Sequence, residues 1–224
     1  GFYGVCSLLV TAALFLVPGE DRRGRGRQAE QAEAGAGSWE RYRQVLRLGP
    51  ARSLYLLVGL EGLFVQGGFT YLGAYLQAQF GLDYLGIGLL LAGYGAATVV
   101  ASRLLPRLLQ RVREEGLILG GGLLLAAGFL VLGVLPDWRL FPLSMIAMGA
   151  GFSFFHSTLQ VRATELVPAL RGTSVALFAF SLFLGAGVGT AAMGWLVSSA
   201  GYVPLGLVCG AGMLGVTVAA RLIW

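Results

Sequence analysis

The run Leu117-Ile118-Leu119-Gly120-Gly121-Gly122-Leu123-Leu124-Leu125-Ala126-Ala127-Gly128-Phe129-Leu130-Val131-Leu132-Gly133-Val134-Leu135 contains no charged residue. It has neither the alternation of a half-buried strand nor the stripe of an amphipathic helix. As a helix it has the length of about 20 residues needed to cross a bilayer core. Six further runs of this kind surround it, near Gly1–Val17, Ser53–Phe80, Tyr84–Ser102, Leu140–Val161, Thr173–Val197 and Tyr202–Leu222. The composition agrees: 56% of the chain is hydrophobic and 12% charged, half the charge that a water-facing domain carries. The expected fold is all-α, a polytopic transmembrane bundle of about seven helices.

Between the runs lie the breaks. Asp83 marks one tight turn and Pro136-Asp137-Trp138-Arg139 another. Ser198-Ser199-Ala200-Gly201, with Pro204, folds back the long uncharged stretch from Gly172 to Ala220. Gly120-Gly121-Gly122 has neither the Lys nor the Ser/Thr of a phosphate loop and sits inside a span.

The 16 basic residues are all Arg. Eight lie between the first and second runs, at positions 22, 23, 25, 27, 41, 43, 47 and 52. Arg103, Arg107, Arg111 and Arg113 lie between the third and fourth, Arg162 and Arg171 beside the link between the fifth and sixth, and Arg221 at the end. If the spans alternate in direction, only Arg139 falls on the opposite side. The arginine-rich side is the cytoplasm by the positive-inside rule, which puts the carboxy terminus inside. Basic clusters interleaved with stacking aromatics are lacking, so nucleic acid is not an expected partner. Cys6 and Cys209 both lie in apolar runs and form no thiolate metal framework; no cofactor or metal is expected.

Residues 1–18 read as the last span of an amino-terminal half whose earlier helices precede Gly1. Residues 19–52 read as a cytoplasmic linker, and 53–224 as a six-helix carboxy-terminal half. Within the linker, Gly24 to Ser38 has no large apolar residue. Trp39, Tyr42, Val45 and Leu46 share one helical face, the pattern of a short helix lying on the inner membrane surface; a solvated charged helix is the alternative.

A self-match at a shift of 83 residues connects the second and fifth spans. Gly68-Phe69-Thr70-Tyr71 returns as Gly151-Phe152-Ser153-Phe154, and Leu76-Gln77 as Leu159-Gln160. The two spans run in opposite directions, which points to a three-plus-three inverted repeat.

The run from Thr158-Leu159-Gln160-Val161-Arg162 to Thr164-Glu165-Leu166-Val167-Pro168, followed by Arg171-Gly172-Thr173, resembles the loop after the tenth helix of major facilitator superfamily transporters similar to bacterial drug–proton antiporters. Phe180-Ser181-Leu182-Phe183-Leu184-Gly185 with Gly187, Gly189 and Gly194 resembles their eleventh helix, and Gly73-Ala74-Tyr75-Leu76 also fits. One departure is Pro106, standing where that superfamily often has an acid; no acid-mediated inner latch is expected in this half. The resemblance implies alternating-access transport of a small organic solute in a bacterial inner membrane, with proton-coupled efflux as its leading form. Uptake by symport, or a non-transporting scaffold or sensor, are the alternatives. It implies four partners: a small-molecule solute, the lipid bilayer, protons, and the preceding half of the same protein.

Several polar residues stand out in the apolar background. Gln66, Thr70 and Gln77 fall on one stripe of the second span, and Ser153, Ser157, Gln160 and Thr164 on one stripe of the fifth. Gln66, Thr70, Ser153 and Ser157 are candidates to line a solute pathway, with Gln77 and Gln160 nearer opposite mouths; bonding to neighbouring helices is the alternative. Glu61 lies roughly 14 Å beyond Arg52, at ~1.5 Å per residue, where a charge is costly. It is either a coupling carboxylate or a group bonded to Tyr or Ser nearby. His156, the only histidine, is either a proton relay or packed against Gln160. Arg162 and Glu165 have the spacing of a helical ion pair at the membrane edge, structural or an inner-gate contact, and Gly185 and Gly189 that of a close helix contact. Ser153 and His156 share one helix without an orienting partner, and paired carboxylates are lacking, so an enzyme is not expected.

Overall fold

The computed structural model describes residues 37–135 and 137–223. The expected first span and most of the linker lie outside these residues. The elements are α1 (Ser38–Arg47), α2 (Gly49–Phe80), α3 (Tyr84–Leu109), α4 (Glu114–Val134), α5 (Phe141–Leu166), α6 (Arg171–Ala200) and α7 (Val203–Ile223). Among the described residues, six helical segments are long and apolar enough to cross a membrane, those of α2 to α7.

Hydropathy located these spans but cut several short. α2 begins at Gly49 rather than Ser53, α3 continues past Ser102 to Leu109, and α5 past Val161 to Leu166. The physical reason is that charge marks the edge of the hydrocarbon, whereas the backbone hydrogen-bond ladder continues into the headgroup layer, where Arg stems reach water. Pro106 sits inside the last turn of α3, where its ring removes the N–H that would otherwise bond the Ser102 carbonyl.

The turns follow their local chemistry. Gly81, in the left-handed region at φ 63°, closes α2. Asp83 Oδ1 then accepts from the Gly86 N–H at 2.9 Å and caps α3. Asp137 Oδ1 accepts from the Arg139 N–H at 3.0 Å, in the short 3₁₀ turn Trp138–Leu140 before α5. Gly201, at φ 81°, separates α6 from α7.

In α1 the apolar face is divided. Val45 is fully buried in the core, while Trp39 is 79% exposed and Leu46 also faces outward. The helix is thus seated on the bundle through Val45 rather than merely resting beside it.

Small residues let the spans approach closely, as lipid-embedded helices require. A Cβ on Gly185 would fall on the Gly59 carbonyl, and one on Gly189 on the Leu63 carbonyl, so α6 lies directly on α2. Tyr55 and Tyr71 reinforce this pair, their hydroxyls donating to the carbonyls of Ser174 at 3.2 Å and Thr190 at 2.8 Å. On α5, Gly149 meets the Tyr94 carbonyl of α3 and Gly151 meets Gly121 of α4. Gly122 meets Thr217, and Gly133 and Gly206 meet across α4 and α7. Gly121 and Gly122 of the triple glycine are therefore packing surface, whereas a Cβ on Gly120 would meet nothing within 4 Å.

These pairings follow the 83-residue shift. α2 packs on α6 as α5 packs on α3, and Gly68 lies against Cys209 of α7 where its counterpart Gly151 lies against α4.

Candidate functional site

Glu61 has no exposed surface. It ends the first α-helical part of α2, and the next five residues, Gly62–Gln66, form a π-helical turn. Such turns are rare and often mark functional positions. The π turn is followed by Gly67–Phe69, then an interruption at Thr70–Tyr71, before Leu72–Phe80 resumes the helix.

Across from it, on α5, His156 Nδ1 lies 3.1 Å from Glu61 Oε1 and 3.2 Å from Oε2. The His156 side chain is 14% exposed. Its ring stacks on Phe152, with centroids 4.6 Å apart and planes at 13°, and meets Phe178 of α6 edge-on at 5.1 Å. Tyr94 of α3 stands between Phe69 and Phe152, at 4.7 and 6.0 Å, and is within electrostatic reach of Glu61. Four spans thus meet at one acid–imidazole pair in an aromatic cage. Phe69 and Phe152, which flank Tyr94, are counterparts under the 83-residue shift.

The structure gives each of these residues a partner. Glu61 is bonded to an imidazole rather than to Tyr or Ser, and His156 faces Glu61. Depth was the available signal. Glu61 is nine residues from Arg52 and His156 six from Arg162, which places both well inside the span from the same side. Under the 83-residue shift the position of Glu61 corresponds to Ser144, also buried, whose hydroxyl has no partner within the described residues. The acid belongs to one repeat alone.

The polar stripes behave unequally. Ser153 is buried and its hydroxyl has no partner among the described residues. Gln66 and Ser157 are half-buried. Thr70 is exposed, its hydroxyl donating back to the Gln66 carbonyl at 2.9 Å, and Gln77 and Gln160 are exposed. Thr164 donates to the Val161 carbonyl at 2.7 Å. A uniform 100° per residue does not carry through the π turn and the break at Thr70–Tyr71, so the α2 stripe is not one straight line.

At the arginine-rich end, Arg162 Nε donates to Glu114 Oε2 of α4 at 2.8 Å, while Glu165 is exposed. Contrary to the expectation drawn from Pro106, an acid–base contact does join two helices at this end, because Glu114 at the start of α4 reaches Arg162 of α5. Gly185 and Gly189 form the α2–α6 contact described above.

With this geometry in place, the family follows. A family model for the Major Facilitator Superfamily matches residues 54–224, and the chain belongs to that superfamily of membrane transporters. No curated protein matches it closely enough to be a relative. The chain is accordingly a multi-pass membrane protein of that superfamily.

Proposed function

We propose that the transport is proton-coupled efflux of a small organic solute, with Glu61 and His156 as the coupling pair. The observation that carries this reading is the bond between a fully buried carboxylate and the chain's only imidazole.

The argument is electrostatic. With one titratable proton between them the two groups sum to zero charge, whether it sits on carboxylate or imidazole. With two they carry +1, and with none −1. A net charge in an apolar interior costs several kcal/mol. A closed cage therefore favours the one-proton state, and the other two need water on one side. Gain or loss of a proton is then tied to which side the cage opens, which is the linkage an exchanger requires. Aromatic walls from α3, α5 and α6 keep water out in between. Gln66, Ser153 and Ser157, with Thr70 nearer the surface, are proposed to contact the solute, and Gln77, Gln160, Arg162 and Glu165 to form gates at the two mouths. Gly185 and Gly189 give α2 and α6 the close contact about which they rock. The setting is a bacterial inner membrane with the carboxy terminus cytoplasmic, and a preceding amino-terminal half completes the cavity.

The test is flux in vesicles holding the full-length protein under an imposed pH gradient. Glu61→Gln should abolish gradient-driven accumulation while leaving solute-for-solute exchange measurable, and His156→Gln should flatten the pH dependence of exchange. Gradient-driven transport unchanged in both variants would remove the coupling role. Solute moving with the proton rather than against it would select uptake, and no flux at all would select a scaffold or sensor.

A further inference from the structure

The acid–imidazole pair is open on one side only. Glu61 has no exposed surface, and both of its oxygens lie against His156 Nδ1, at 3.1 and 3.2 Å. The His156 side chain keeps 14% of its surface. Phe152 covers a face of its ring and the carboxylate covers Nδ1, so what stays open belongs to the opposite edge, which carries Nε2. That nitrogen makes no bond among the described residues, yet it is not sealed. The buried side-chain nitrogen and oxygen atoms left without a partner are the hydroxyls of Ser144, Ser153 and Ser174. Of the elements around the pair, α3 brings Tyr94 and α6 brings the uncharged Phe178. The charged residues of α4 and α7, Glu114, Glu115 and Arg221, all stand at the arginine-rich end.

The orientation of the ring is fixed as well. An imidazole has two preferred settings about its Cβ–Cγ bond, a half-turn apart. The other setting would put a carbon where Nδ1 now meets the carboxylate. Phe152 precedes His156 by one turn of α5 and stacks on it at 4.6 Å and 13°, while Phe178 crosses from α6 at 5.1 Å. The imidazole cannot turn through a right angle without displacing one of these rings. Nδ1 is held toward Glu61, and Nε2 away from it.

We propose that His156 Nε2 is the single port through which protons reach and leave Glu61, and that Phe152 is the residue that positions it; this rests on the coupling role given to the pair above. With Glu61 ionised and the ring neutral, the ring proton lies on Nδ1, which donates to the carboxylate, and Nε2 is bare. Nε2 then takes a proton from water in the open pathway, and the Nδ1 proton crosses to a carboxylate oxygen. One proton has entered, one has crossed, and the ring N–H now stands on Nε2. Release runs the same two transfers in reverse. The carboxylate never meets water itself, and covering one edge of one ring is enough to isolate the proton.

The experiment uses the full-length protein in phospholipid vesicles, with histidine labelled isotopically at both ring nitrogens and read by NMR. The His156 signals are assigned through their contact with the Phe152 ring, so this reading needs no variant to fold. As pH rises, Nε2 should lose its proton while Nδ1 keeps its own. Phe152→Leu should give a mixture of the two neutral tautomers and slow gradient-driven transport by about 10–100-fold. Phe152→Tyr, which keeps the stack, should restore both the tautomer and the rate. A neutral ring with its proton on Nε2 and Nδ1 bare beside an ionised Glu61 would overturn the port. So would a Phe152→Leu variant with tautomer and rate unchanged, or a Phe152→Tyr variant that rescues neither. Any of these results alongside transport lost in Glu61→Gln removes the port and leaves the coupling role standing. Gradient-driven transport that persists in Glu61→Gln removes the coupling role, and the port with it.

Discussion

A single hydroxyl tests how polar atoms are used in this bundle. Ser153 is buried and bonds to no described residue, so it contributes desolvation cost without a compensating bond. Ser153→Ala is expected to leave thermal unfolding unchanged, or to raise stability by about 1 kcal/mol. If the hydroxyl contacts solute, as proposed, the same variant should raise KM for transport. Lower stability would instead mean that the hydroxyl is satisfied within the fold. The polar residues were conspicuous in the sequence because nearly everything around them is apolar. Their partners were not, because a partner depends on how two spans are rotated against each other. Glu61 drew attention by depth alone; that it meets His156 rather than a hydroxyl required the packing of α2 on α5.

At the scale of elements, glycine spacing decides which helices touch. Gly185 and Gly187 are two residues apart on α6 and differ completely in surroundings. A Cβ on the first would overlap the Gly59 carbonyl, whereas one on the second meets nothing within 4 Å. Gly185→Ala should therefore separate α2 from α6 and cost about 1–3 kcal/mol. Gly187→Ala should be neutral or stabilise by up to about 1 kcal/mol through helix propensity. Thermal unfolding in detergent of the two variants checks the difference, and equal effects would contradict the packing. The spans themselves were legible as uncharged runs, and the GxxxG spacing on α6 announced a close contact. Helix ends were not legible to the same degree, because Arg103 and Arg107 look like a loop to a hydropathy scale although α3 continues to Leu109. The π turn left no signal at all, since Gly62-Leu63-Phe64-Val65-Gln66 reads as ordinary helix.

For the molecule as a whole, fold class came from composition and the family from motifs along α5 and α6, and the match over residues 54–224 agrees. Sidedness is a separate matter, resting on the arginine count. Cysteines placed singly at Arg107 and Arg139, in a background without Cys6 and Cys209, should react with an impermeant maleimide from opposite faces, with position 107 protected in intact cells. Labelling of position 107 from outside would reverse the orientation. The spans of α3 and α6 are the least covered by the other described residues, so their outward faces are where the proposed amino-terminal half would dock.

The turn at Gly62–Gln66 has one more consequence. It accommodates an additional residue per turn directly after the carboxylate, and Gly62, its first residue, and Gly67, just beyond it, lie against backbone atoms of α6. Were that insertion to migrate toward Glu61, Gln66 and the residues around it would swivel by one helical step, about 100°. A bobbin of this kind would turn the Gln66 amide toward or away from the cavity without lengthening the span or unseating its glycine contacts farther along.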